Sequence, residues 1–106
     1  MTFIHTEDMA KRVLGPVTYH IVSAGPVMVL RLMIPPNTTL PEHAHENYQM
    51  GYVLSGSGAF MIGGEYARLS SGMAYTIPAN VLHDLRTLDE PLELLDIYYP
   101  PKEDRL

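Results

Sequence analysis

PEHAHENYQMGYVLSG, residues 41–56, carries two of the chain's five histidines and runs on into an alternating apolar segment that ends at a glycine. On extended backbone, residues i and i+2 face the same side, so the imidazoles of His43 and His45 point together into the interior. Gln49 follows at the start of the apolar run, and a third histidine, His83, stands in IPANVLHDLRT, residues 77–87. Three imidazoles and one carboxamide oxygen make a four-ligand metal site with positions left open for substrate. Two surface histidines would produce the same H-x-H pair, so the surrounding sequence has to decide.

Outward from this stretch the chain reads as all-β. From Val17 on, short β-branched and aromatic runs alternate with Gly, Pro and Asn, which predicts strands near 17–23, 27–34, 49–55, 59–62, 65–69, 73–77, 83–88 and 92–99. Gly63-Gly64 is a two-residue hairpin signal, and Pro35-Pro36 stops the strand before it. Residues 5–13 allow either one helical turn, with Thr6 as its cap, or an edge strand. The expected organisation is an N-terminal arm over 1–16 and one double-sheet jelly-roll domain over 17–106.

Composition narrows the function classes. In 106 residues there is no Cys, which excludes disulfides, thiolate zinc sites and cysteine nucleophiles. A net charge of -5, with no cluster of Lys or Arg, argues against nucleic-acid and anionic-membrane surfaces. No apolar stretch approaches the roughly 20 residues of a membrane-spanning helix. The start, MTFIHTEDMAKRV, lacks the basic and apolar regions of a secretory signal, so a cytoplasmic address is expected.

Turn-forming residues frame both histidine segments at fixed offsets: Asn37, His43, His45, Gln49 and Gly56 in the first, and Gly72, Pro78, Asn80, His83 and Thr87 in the second. In this the sequence resembles the cupin superfamily, whose motifs are G-x5-H-x-H-x3/4-E-x6-G and G-x5-P-x-G-x2-H-x3-N. The resemblance implies a double-stranded β-helix, or cupin barrel, holding one divalent transition metal (Ni, Fe, Mn, Co or Zn). Asn37 and Asn80 replace glycines, and Asn is the residue that best tolerates a left-handed backbone in their place. Thr87 replaces the last Asn and is expected to alter a strand-end hydrogen bond. Gln49 replaces the usual glutamate, which leaves a divalent site at +2 and makes it a stronger Lewis acid with weaker metal retention. A site that has lost its metal is the other reading of Gln49. Each histidine must be neutral to coordinate, so metal loss is expected as pH falls below about 6.

In the last strand, LLDIYYPPKEDRL (residues 94–106), alternation puts Leu94, Asp96 and Tyr98 on one face. If that face is the cavity side, Asp96 can move a proton; otherwise it is a solvated charge. Arg31 interrupts the run VMVLRLMI and is either an outward residue of an edge strand or a guanidinium at the pocket rim. The tail, together with H-x-H-x3-Q, looks like the KdgF family of uronate-metabolism proteins, with its D-x-F-S-P-x-R-E-D pattern. The family's aspartate, aromatic and arginine fall on Asp96, Tyr98 and Lys102. The resemblance implies ketonisation of cyclic 4,5-unsaturated uronates. In that scheme Asp96 shuttles the proton, Tyr98 orients the sugar, and Lys102 with Arg31 holds the carboxylate. Two other readings stay open: oxygen-dependent cleavage by a cupin dioxygenase, and a binding module that senses or carries a metabolite unchanged. A homodimer is expected from open sheet edges. His5 and His20 read as surface or packing residues.

Overall fold

The computed structural model describes residues 2–106; Met1, the first residue of the expected arm, lies outside the described residues. Among the described residues ten strands form, namely β1 (Ala10–Leu14), β2 (Val17–Ala24), β3 (Val27–Ile34), β4 (Thr39–His43), β5 (Tyr48–Gly56), β6 (Gly58–Ile62), β7 (Glu65–Leu69), β8 (Ala74–Ile77), β9 (His83–Arg86) and β10 (Leu92–Tyr99). They make a six-stranded sheet in the order β1-β2-β3-β10-β5-β8 and a four-stranded sheet in the order β4-β9-β6-β7, a double-sheet jelly roll. Every pairing is antiparallel.

Alternation along β10 sets the layers: Leu92, Leu94, Asp96 and Tyr98 are buried while the residues between them are more open. Leu92 and Leu94 meet Ile34, Val53, Phe60 and Leu85 in the core between the sheets. A second cluster, Tyr19, Ile21, Met28, Leu30 and Tyr98, continues the core beneath the C-terminal turn.

Strand β4 escapes a reading by pattern, and β1 is the edge-strand alternative allowed for residues 5–13. β4, TLPEH, has no alternating core face and contains a proline. β1, AKRVL, is exposed at all its positions and owes its extended form to pairing with β2 from Ala10↔Ile21 to Leu14↔Val17. Residues 10–14 are thus the edge of the large sheet and not an arm apart from it. A single 3₁₀ turn precedes it at Thr6–Asp8. Thr6 does not cap that turn; its hydroxyl accepts a hydrogen bond from Arg31 instead.

The substituted turns keep their shape. Asn37 and Asn80 adopt φ of 53° and 63°, the left-handed backbone glycine would otherwise supply. Thr87 is fully buried and replaces a side-chain amide with a hydroxyl that donates to Pro35 O (2.6 Å) and accepts from Thr38 N (2.9 Å).

Candidate metal centre and its cavity

The three motif histidines meet at one end of the sandwich. A bulge in β4 between Leu40 and His43 brings His43 opposite His83 of β9, and His45 follows just past the end of β4. One ring nitrogen of each lies within 4.8 Å of the others. Exposure falls across the group, from His43 at the mouth through His45 to buried His83.

Backbone carbonyls fix the tautomer of all three rings. Nδ1 of His43 faces Pro41 O (3.0 Å), Nδ1 of His45 faces Asn47 O (3.0 Å), and Nδ1 of His83 faces Val81 O (2.9 Å). A carbonyl only accepts, so each Nδ1 carries the proton and each neutral ring keeps its Nε2 lone pair. Burial lowers the pKa of His45 and of His83, which favours that neutral form. Gln49 Oε1 lies 3.1 Å from His45 Nε2. Two donors about 2.1 Å from one ion, at right angles, stand about 3 Å apart, so this spacing suits neighbouring ligands. The residues present therefore fit a divalent ion.

Behind Gln49 lies a buried acid. Asp96 is 3% exposed, and Tyr75, reaching from β8, donates its hydroxyl to the carboxylate. Burial raises the Asp96 pKa to about 6, with hydrogen bonds from Tyr75 and Gln49 holding it back from a larger rise. Gly51 makes the arrangement possible. It pairs with Asp96 on one side and with Tyr75 on the other, so the phenol crosses an intervening strand where no side chain stands. A Cβ on Gly51 would overlap both the Tyr75 hydroxyl and the Asp96 carboxylate. Burial also pushes the Tyr75 and Tyr98 hydroxyls well up, so both stay protonated. Tyr98 is buried with its ring 5.7 Å from that of His45.

These groups share a cavity of about 80 Å³ with His43, His83 and Gln49 at its polar end and Leu40, Phe60 and Leu94 among its apolar walls. Arg31 does not reach it. β3 is an interior strand, and its inward positions are taken by Met28 and Leu30; the Arg31 guanidinium lies on the outer face, bonded to Glu93 (3.0 Å) and Thr6 (2.6 Å). The expected role at the pocket rim is thereby withdrawn. Lys102 lies outside the lining too, its ammonium 3.0 Å from both Asp104 oxygens, though its charge is felt at His45. Among the residues of the cavity wall that escaped the sequence reading are Tyr75 and Arg105. Tyr75 carried a signal in the alternation of Ala74–Ile77; Arg105 carried none.

The fold and the three-histidine cluster together define a β-sandwich with a candidate metal site, and the comparisons give the family. The family model for the cupin domain (Cupin_2) matches residues 30–98, and the chain belongs to that family. It is similar to an RmlC-like cupin from Shewanella frigidimarina, with 20% identity, a TM-score of 0.91, and cover of 100% of this chain and 96% of the other. KdgF from Halomonas sp. is 25% identical with a TM-score of 0.89, covering 100% and 99%. The polyketide cyclase RemF of Streptomyces resistomycificus is 21% identical, with a TM-score of 0.83 and cover of 95% and 80%. An uncharacterized protein of Streptomyces coelicolor is 29% identical over 65 residues, 61% of this chain; the match spans 62% of that relative's length. Among the described residues no helix is long and apolar enough to cross a membrane.

Proposed function

We propose that this cupin is a metal-dependent enzyme that moves a proton within a small oxygenated anion, ketonising an unsaturated uronate. The observation that carries this reading is Asp96, a buried carboxyl on the wall of the histidine-lined cavity, with its pKa raised to about 6. Such a group takes and returns protons near neutral pH, which a fully solvated carboxylate does poorly. The likeness to KdgF over the whole chain, and the tail that carries Asp96 and Tyr98, support the substrate class.

An ion held by His43, His45, His83 and Gln49 supplies Lewis-acid polarisation of a substrate oxygen when bound. The chain's own residues do the rest. Opening of the cyclic uronate leaves an enol, whose O–H proton passes to the Asp96 carboxylate; Asp96 then protonates the neighbouring carbon and the ketone forms. The exchange is redox-neutral and consumes no oxygen. Tyr75 fixes the orientation of the carboxylate through its hydrogen bond. Tyr98, always protonated, donates to a substrate oxygen. Asp96→Asn is expected to lose turnover of 4,5-unsaturated uronate by about 10²-fold or more while keeping its metal. Unchanged turnover removes Asp96 from the mechanism, and no turnover by the parent removes the substrate.

The active form is read as a homodimer. On the outer face of the large sheet, where alternation calls for polar residues, Tyr48, Met50, Tyr52 and Tyr99 are 57%, 50%, 46% and 55% exposed. Register brings them side by side, with Tyr48 opposite Tyr99 and Met50 opposite Ile97. A two-fold pairing of this face with a second copy would cover it, the patch being self-complementary in its chemistry. Light scattering should give twice the 11.9 kDa chain mass, and Tyr52→Glu should restore the monomer.

A further inference from the structure

We propose that Arg105, in the C-terminal 3₁₀ turn Glu103–Arg105, is the group that grips the substrate's carboxylate. Among the described residues, which include all seven Lys and Arg, Arg105 alone of these lines the cavity that holds His43, His83, Gln49, Asp96 and Tyr98. The acid whose side chain faces that cavity is Asp96, which repels an anion when ionised; Asp84 alternates with inward His83 and Leu85 on β9, so its carboxylate is on the outer face of the small sheet. Without Arg105 an anionic ligand would enter past the Asp96 carboxyl with no side-chain cation to meet it.

The guanidinium is free to serve. Its one side-chain partner among the described residues is Asp104 Oδ2 at 3.4 Å. Lys102 holds both oxygens of that same carboxylate at 3.0 Å, so the charge of Asp104 is already engaged. The side chain of Asp104 is 62% exposed and that of Arg105 only 17%, which leaves the cation more enclosed than its counter-ion. A guanidinium carries five N–H donors in a planar fork that matches a carboxylate bidentately, and a single long contact leaves most of them unused.

Its position is built as well. Tyr19, buried on β2, donates its hydroxyl to Arg105 O at 2.9 Å across 86 residues of sequence, and Arg105 N closes the turn on Lys102 O at 2.9 Å. The charge of Arg105 acts on the Tyr98 hydroxyl, which marks the two as neighbours on one wall. A ligand that sets an oxygen toward the histidines and a carboxylate toward Arg105 therefore spans Asp96 and Tyr98. The ligand class is a small carboxylate with its reactive oxygen a few atoms from the acid group.

This assignment rests on reading the cavity as the substrate site, and binding separates it from the chemistry. In metal-loaded protein, affinities for galacturonate, pyruvate and benzoate are measured calorimetrically, each against its primary amide. The parent is expected to prefer carboxylate in at least one pair. In Arg105→Gln that preference should fall roughly 10- to 100-fold with amide affinity and metal content unchanged. Arg105→Lys, which keeps the charge and loses the fork, should fall between the two and decides the matter if the first variant melts early. A carboxylate-to-amide ratio equal to the parent's in the folded variant overturns the assignment, as does a parent that discriminates no pair. If instead the ratio depends on Arg105 while uronate is never turned over, the proton-transfer reading falls and the carboxylate site stands.

Discussion

Burying a carboxyl group with no cation beside it destabilises its charged form, and Asp96 shows the size of the effect. Its pKa is raised from the ordinary carboxylate value to about 6, so in metal-free protein the folded state holds its proton more tightly than the unfolded chain. Stability from this group is greatest in acid and is lost as pH rises through the interval from about 4 to 6. Above that interval the penalty is on the order of 3 kcal/mol. Asp96→Asn is therefore expected to melt higher than the parent at pH 7.5, with the difference closing near pH 4. Equal melting temperatures across that range would mean that the carboxylate is not desolvated. The histidines act in the opposite sense. Burial lowers the pKa of His45 and His83, so the apo protein loses their contribution as pH falls below about 6.5.

Strands β5, β8 and β10 carry the acid and its partner, and Gly51 of β5 is the narrow place between them. Gly51→Ala is expected to force the Tyr75 hydroxyl and the Asp96 carboxylate apart. Turnover should fall by about the same factor as in Tyr75→Phe, while bound metal, measured by elemental analysis, stays at the parent's level. Loss of metal in Gly51→Ala would show that the clash travels to Gln49. Much of this was legible in the sequence. Alternation in LLDIYY put Asp96 on one face with Leu94 and Tyr98, without saying that this face is the buried one, and the left-handed backbone of Asn37 and Asn80 was expected from the glycine positions they fill in the resembled motifs. Arg31 was not legible, because a lone charge in an apolar strand reads alike on either face. Only the Glu93 opposite it, brought close by the β3 and β10 pairing, gives its place. Nor was Arg105, whose seat depends on a hydrogen bond from the far end of the chain.

Across the whole molecule, the candidate ligands come from both sheets. His43 and His83 lie on β4 and β9 of the small sheet, and Gln49 on β5 of the large one. An ion held by them ties the two layers together, so binding adds to folding stability. At free metal near 100 times its dissociation constant the gain is about 2.7 kcal/mol. For a domain of this size that raises the melting temperature by roughly 10 °C or more. Differential scanning calorimetry before and after EDTA treatment checks it, and equal curves would place no ion there.

The gradient of exposure, from open His43 to enclosed His83, also sets how an ion comes and goes. Of the three histidines His43 alone is exposed, so an ion held there would be reachable from the His43 side and a chelator would draw it off without unfolding the sandwich. Stripping should then be first order in chelator and far faster than global unfolding, and a bulky ligand seated in the mouth should slow it by standing in the doorway.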